Sequence, residues 1–113
     1  MKPRLVIVED DPDIALLQAK ILEQDYACTL VTDHFERATH PSLWRDTRVG
    51  IFDLMLPGVS GESLLRLIAW QHPNVRRVVC TAMPIHELPQ LGRLADYVLL
   101  KPFSPAQLRE AVG

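Results

Sequence analysis

Cysteine is scarce in this sequence: Cys28 and Cys80 are the only two among 113 residues. Neither sits in a CxxC pair, which excludes a thiolate zinc site or a redox dithiol built from chain neighbours. Two thiols without a framework read as buried, reduced side chains of a cytosolic protein. An excess of one charge is also missing. Twelve Lys and Arg against fourteen Asp and Glu leave a net charge of −2, which gives no basic footprint for nucleic acid or an anionic membrane. No DNA-reading motif is present. No apolar run approaches the roughly 20 residues that cross a bilayer. The start, MKPRLVIVEDD, has too short an apolar stretch before its acids for a signal peptide. Internal repeats, linkers and low-complexity segments are absent. With 48% hydrophobic and 23% charged residues, the chain is expected to form one globular domain, 1–113, around a single core.

The apolar pattern alternates between two kinds of segment. RLVIV (Arg4–Val8) is short and rich in Val and Ile, as a strand buried on both faces is. Asp11 and Pro12 then suit the cap and first position of a helix. Ile14, Leu17, Ile21 and Leu22 recur at helical spacing, which carries that helix to about Gln24. YACTLVT is a second strand. DHFERATHPSLWRD reads as a weaker helix, capped by Asp33 and cut short at Pro41. VGIFD is a third strand and LPGVSG a loop. Glu62–Gln71 is a helix, and VRRVVCT a fourth strand. AMPIHELPQLGRLA should hold a helix, but Pro84 and Pro89 predict that it is short or irregular. DYVLL is a fifth strand. In SPAQLREAV, Ser104 and Gln107 are spaced as a capping box, with Pro105 at the first helical position. Strand and helix alternate about five times, which implies an α/β fold with a parallel sheet covered on both faces.

In such sheets, sites form beyond the carboxyl ends of the strands. Those ends hold Glu9 and Asp10, Asp53, Thr81 and Lys101. A strand end at the surface accounts for any one of these polar residues, but poorly for three acids, a hydroxyl and an amine on one rim. Oxygen ligands without His or Cys suit a hard cation such as Mg2+. Together with an ammonium and a hydroxyl they match a transferring phosphoryl group. A carboxylate can be the nucleophile that forms an acyl phosphate, and Asp53 at the sheet centre is best placed for it. The four histidines have no ligand spacing and read as surface residues. Arg76 and Arg77 read as solvated or loosely paired, and Trp44 and Trp70 as partly buried packing.

VIVEDDPD, DLMLPGVSG, CTA and LKPFSPAQL, in that order and spacing, resemble the receiver domain of two-component response regulators across the whole chain. The resemblance implies a flavodoxin-like (βα)5 sandwich with strand order 2-1-3-4-5. It implies Asp53 as phosphoacceptor, and Mg2+ held by Glu9, Asp10, Asp53 and the backbone carbonyl of Met55. It implies that Thr81 and Lys101 meet the phosphoryl group, and that the Lys101–Pro102 peptide is cis. The implied partner is a sensor histidine kinase or a phosphotransfer protein in the cytoplasm. The implied role is a switch that catalyses only its own phosphorylation and dephosphorylation, as a monomer or a phosphorylation-linked dimer. A phosphorylation-independent interaction module is the alternative. A phosphatase is disfavoured, because Met55 stands where a second acid would serve as general acid. Receivers place Tyr or Phe three residues before the lysine. Here that residue is Val98, and Tyr97, displaced by one, should face the other side of the sheet.

Overall fold

The computed structural model describes residues 1–82 and 91–113. Strand β1, Arg4–Val8, forms where the sequence places it, and Leu5 through Val8 are fully buried. Helix α1, Pro12–Leu22, starts from Asp11, whose carboxylate accepts from the N–H groups of Asp13 (2.9 Å) and Ile14 (3.3 Å). Strands β2 (Ala27–Val31), β3 (Thr47–Phe52), β6 (Arg76–Thr81) and β7 (Tyr97–Leu100) join β1 in one parallel sheet of order β2-β1-β3-β6-β7. This is the expected 2-1-3-4-5 order. The numbering differs only because Met55–Leu56 (β4) and Val59–Ser60 (β5) pair as a small antiparallel hairpin. The sequence reads that segment as a loop. Pro57 and Gly58 turn the hairpin, with Gly58 at φ +74°, a conformation that glycine adopts without strain.

Helix α3 spans Gly61–Gln71, α4 Leu91–Leu94 and α5 Pro105–Val112. The α5 capping box of Ser104 and Gln107 is present in both directions. The expectation drawn from Pro84 and Pro89 lies outside the described residues, as does His86.

Two apolar layers sandwich the sheet. Val6, Val8, Phe52 and Val79 meet Phe35, Trp44, Leu64, Leu65 and Ile68 on one face. Leu5, Ile7, Ile51, Val78, Cys80 and Leu99 meet α1 and α5 through Ala15, Leu22, Leu108 and Ala111 on the other. This alternation decides which way each strand-end residue points. Tyr97 packs on the α1/α5 face and Val98 on the opposite one, as expected.

Several expectations need correction. No helix runs through residues 33–46. A 3-10 turn at Phe35–Thr39 is followed by the one-turn helix α2, Pro41–Trp44. Pro41 starts that helix instead of ending one, because the first helical position has no use for an N–H. Asp33 does not cap the turn; its carboxylate pairs with Arg37 at 3.0 Å. In α1 the buried face is Ala15, Gln18 and Leu22, while Leu17 is 54% exposed. Trp44 is buried, donates to the Ala38 carbonyl (2.7 Å) and stacks on Phe52, but Trp70 is 79% exposed. Arg76 and Arg77 are half-buried and anchored: Arg76 donates to the Ala111 carbonyl and Arg77 to that of Leu94. His72 is half-buried, and its Nε2 has no hydrogen-bond partner among the described residues. Cys28 and Cys80 are both free thiols, and Cys28 is only half-buried. No helix among the described residues is long and apolar enough to cross a membrane.

Candidate functional site

Glu9 and Asp53 are each the first polar position after a run of buried apolar strand residues. β1 runs out into Glu9, which is 2% exposed, and into exposed Asp10. β3 runs out into Asp53, 7% exposed, whose N–H donates to the Val8 carbonyl at 2.9 Å. That bond holds the two strand ends level. By strand alternation Glu9 continues Leu5 and Ile7, and Asp53 continues Val49 and Ile51, so both side chains belong to the α1/α5 face. One carboxylate oxygen each from Glu9, Asp10 and Asp53 lies within 4.8 Å of the others.

Lys101 follows β7 and reaches back across the strand ends. Its Nζ donates to Glu9 Oε1 at 2.6 Å and to Asp53 Oδ2 at 3.2 Å. The Lys101–Pro102 peptide is cis. The second Asp53 oxygen accepts the Met55 N–H at 3.0 Å, and Glu9 Oε2 lies 3.4 Å from the Asp11 N–H. The Met55 side chain is 63% exposed, so it is the Met55 backbone that faces the acids. Thr81 ends β6 fully buried, and its carbonyl accepts the Lys101 N–H at 2.9 Å.

Three acids around one ammonium leave a net negative site, and the protons distribute unequally. Glu9 is pushed up to about 7, first by burial and then by hydrogen bonding with Asp53. Lys101 only partly offsets this. Burial acts on Asp53 in the same direction. It is outweighed by hydrogen bonds from Glu9 and the Met55 N–H and by the Lys101 charge, so Asp53 stays below its ordinary value. The pair thus separates into one carboxyl that keeps a proton near neutrality and one that is ionised. For Lys101 burial acts downward, but bonding to Glu9 and the Asp53 charge hold it above its usual value.

Gly61 has a role that motif reading left unassigned. A Cβ there would stand 2.5 Å from Leu54 Cα and 2.6 Å from the Asp53 carbonyl oxygen. Only glycine lets α3 begin this close to the backbone that carries Asp53. The signal available in the sequence was a glycine directly after a helix cap, Ser60, which accepts the Ser63 N–H.

The model of the response regulator receiver domain matches residues 5–113. The chain belongs to this receiver family. Among curated relatives, the transcriptional regulatory protein BaeR of Escherichia coli is 35% identical over 115 residues, 94% of this chain and 45% of its own length. Response regulator RppA of Synechocystis is 30% identical, across 93% of this chain and 47% of its own. This receiver therefore spans about half the length of these relatives. Among solved structures, TrrA of Thermotoga maritima, in complex with Mg(2+)-BeF, superposes with a TM-score of 0.82 at 27% identity. That match covers 99% of this chain and 96% of the other. The five-stranded flavodoxin-like order and the acid cluster at the strand ends fit receiver architecture.

Proposed function

We propose that this receiver is a phosphoacceptor switch in which Asp53 takes a phosphoryl group from phosphohistidine. The observation that carries this reading is the setting of Asp53: nearly buried, and hydrogen-bonded by an ammonium on one oxygen and a backbone N–H on the other, which hold its carboxyl below the ordinary value. A carboxylate oxygen of Asp53 attacks phosphorus. The phosphorus–nitrogen bond breaks, and the imidazole leaves with the electron pair and gains a proton. Lys101 stands where it neutralises charge on the equatorial oxygens. Thr81, at the end of the adjacent strand, supplies a hydroxyl donor. Water later cleaves the acyl phosphate and restores the carboxylate. The chain is a stoichiometric acceptor and not a turnover enzyme.

The three carboxylates of Glu9, Asp10 and Asp53 are an all-oxygen donor set that fits Mg2+, and the resemblance to receivers adds the Met55 backbone carbonyl to it. Bound there, the cation would offset charge on phosphoryl oxygens. The partner is a sensor histidine kinase or phosphotransfer protein of the cytoplasm. Beside Lys101, Ile14, Leu17, Pro102 and Phe103 line an open apolar cleft of about 400 Å³ that suits such a partner. Residues 1–113 act as one domain, and a net charge of −2 gives it no basic footprint for nucleic acid.

The test is incubation with a small phosphodonor such as phosphoramidate, with and without Mg2+. One Mg2+-dependent phosphoryl group per chain, released by hydroxylamine, is expected. No incorporation under either condition would leave the phosphorylation-independent interaction module as the better reading.

A further inference from the structure

Strand β2 is an edge of the sheet: among the described residues it pairs with β1 and with no other strand. The Ala27 N–H donates to the Pro3 carbonyl, and the Val31 carbonyl accepts the Glu9 N–H. The backbone groups of Ala27, Thr29 and Val31 therefore turn inward, toward β1. Backbone groups alternate sides along a strand, so those of Cys28 and Leu30 turn outward. Among the described residues no hydrogen bond reaches these outward groups.

A sheet edge is normally blunted by a charge, a proline, a bulge or a cover. YACTLVT, residues 26–32, carries no charge and no proline. Its pairing with β1 runs without a register shift. The 3-10 turn buries Val31 beside Phe35 and Ala38 but leaves Ala27 and Thr29 exposed. On the other face Cys28 and Leu30 are half-buried against the α1/α5 layer. Ile14 and Leu17 of α1 line the cleft with Phe103, on the α5 side. At about 100° per residue, Leu16 falls on the opposite flank of α1, the side of the β2 edge. It is 54% exposed.

We propose that this edge pairs with the same edge of a second copy of the chain, antiparallel about a two-fold axis at Cys28, so that one sheet runs through a symmetric dimer. In that register Cys28 faces its own copy, and the two exchange both backbone bonds. The Leu30 N–H meets the Tyr26 carbonyl of the second copy. Ala27 faces Thr29, and Asp25 faces Val31. An axis at Thr29 would instead set Asp25 against Asp33, with like charges directly opposite. The Cys28 axis brings no two charges together, and the Leu16 side chains of both copies flank the joint on one face. Glu9, Asp10 and Asp53 take no part, so the association is independent of phosphorylation.

The experiment is sedimentation equilibrium of the full chain over a concentration series, with and without Mg2+ and beryllium fluoride. A concentration-dependent dimer is expected under both conditions. The double variant Ala27→Lys with Thr29→Lys changes two exposed side chains and sets like charges opposite each other twice across the axis. It should weaken the dimer by about tenfold and still melt cooperatively. Ala27→Lys with Thr29→Glu sets opposite charges at the same places and should restore parental association. If the double-lysine chain does not fold, Leu16→Glu, on the helix flank, decides by the same loss. A chain that stays monomeric throughout, a dimer formed only with beryllium fluoride, or a dimer that folded variants leave unmoved would overturn the proposal. Failure of the lysine–glutamate pair to restore a dimer that the two lysines had weakened would overturn the register about Cys28.

Discussion

Lys101 makes its shorter bond to Glu9, at 2.6 Å, and its longer one to Asp53, at 3.2 Å. The ammonium thus rests mainly on Glu9, within reach of Asp53, the proposed phosphoacceptor. Removing one partner of a buried ion pair destabilises by roughly 3–5 kcal/mol when the other stays charged. Glu9 can instead take a proton. Lys101→Met is therefore expected to cost about 3 kcal/mol at pH 8 and clearly less at pH 5, measured by urea unfolding in chelator. An equal loss at both values would mean that Glu9 is not the main counter-charge.

The same acid sets a pH slope in the metal-free protein. The Glu9 carboxyl lies at about 7 in the folded chain against an ordinary 4.5. The groups that face it are Asp53, Asp10 and Lys101. Between those values the folded chain holds more proton than the unfolded one, so stability falls as pH rises from 4.5 to 7. The lowered Asp53 acts below its ordinary 3.8 and the raised Lys101 above 10.5, both outside that window. Melting in chelator should show the fall, and Glu9→Gln should flatten it.

Gly61→Ala should damage the site without touching a polar side chain. The new methyl meets backbone atoms of Asp53 and Leu54 that cannot swing aside. A cost of about 1–3 kcal/mol is expected, together with weaker Mg2+ binding as the Asp53–Met55 backbone shifts. Gly92→Ala is the control: nothing lies within 4 Å of its Cβ, and it should be neutral or slightly stabilising. Equal behaviour of the two variants in Mg2+ titrations would remove Gly61 from the site.

What the sequence made legible was mostly local. Asp11 and Pro12, or Ser104, Pro105 and Gln107, declare a helix start within four residues, and the structure has both. The buried strands β1, β3 and β6 declare themselves by composition, and the site follows because strand ends in a parallel sheet converge. What failed needed the third dimension. Two apolar stripes run along α1, and only packing selects Ala15, Gln18 and Leu22 over Ile14 and Leu17. Trp70 sits off the Leu64–Leu65–Ile68 face of α3, so spacing could have placed it in solvent. The shared proton of Glu9 and Asp53 depends on distances that no spacing conveys.

Mg2+ should raise stability, because the acids of Glu9, Asp10 and Asp53 repel one another without it. At about a hundred times its dissociation constant the gain is roughly 2.7 kcal/mol. Asp10→Asn should raise metal-free melting slightly and abolish most of the Mg2+ response. A parent whose melting is indifferent to Mg2+ would count against the cluster as a cation site.

The most direct measurement is intact-mass spectrometry of the parent and Asp53→Asn after incubation with phosphoramidate and Mg2+. An amide oxygen in place of the carboxylate leaves the fold in place but removes the nucleophile. The parent should gain one hydroxylamine-labile phosphoryl group and the variant none, with both melting cooperatively. Equal incorporation by a folded Asp53→Asn would move the acceptor to another residue and contradict the central role given to Asp53.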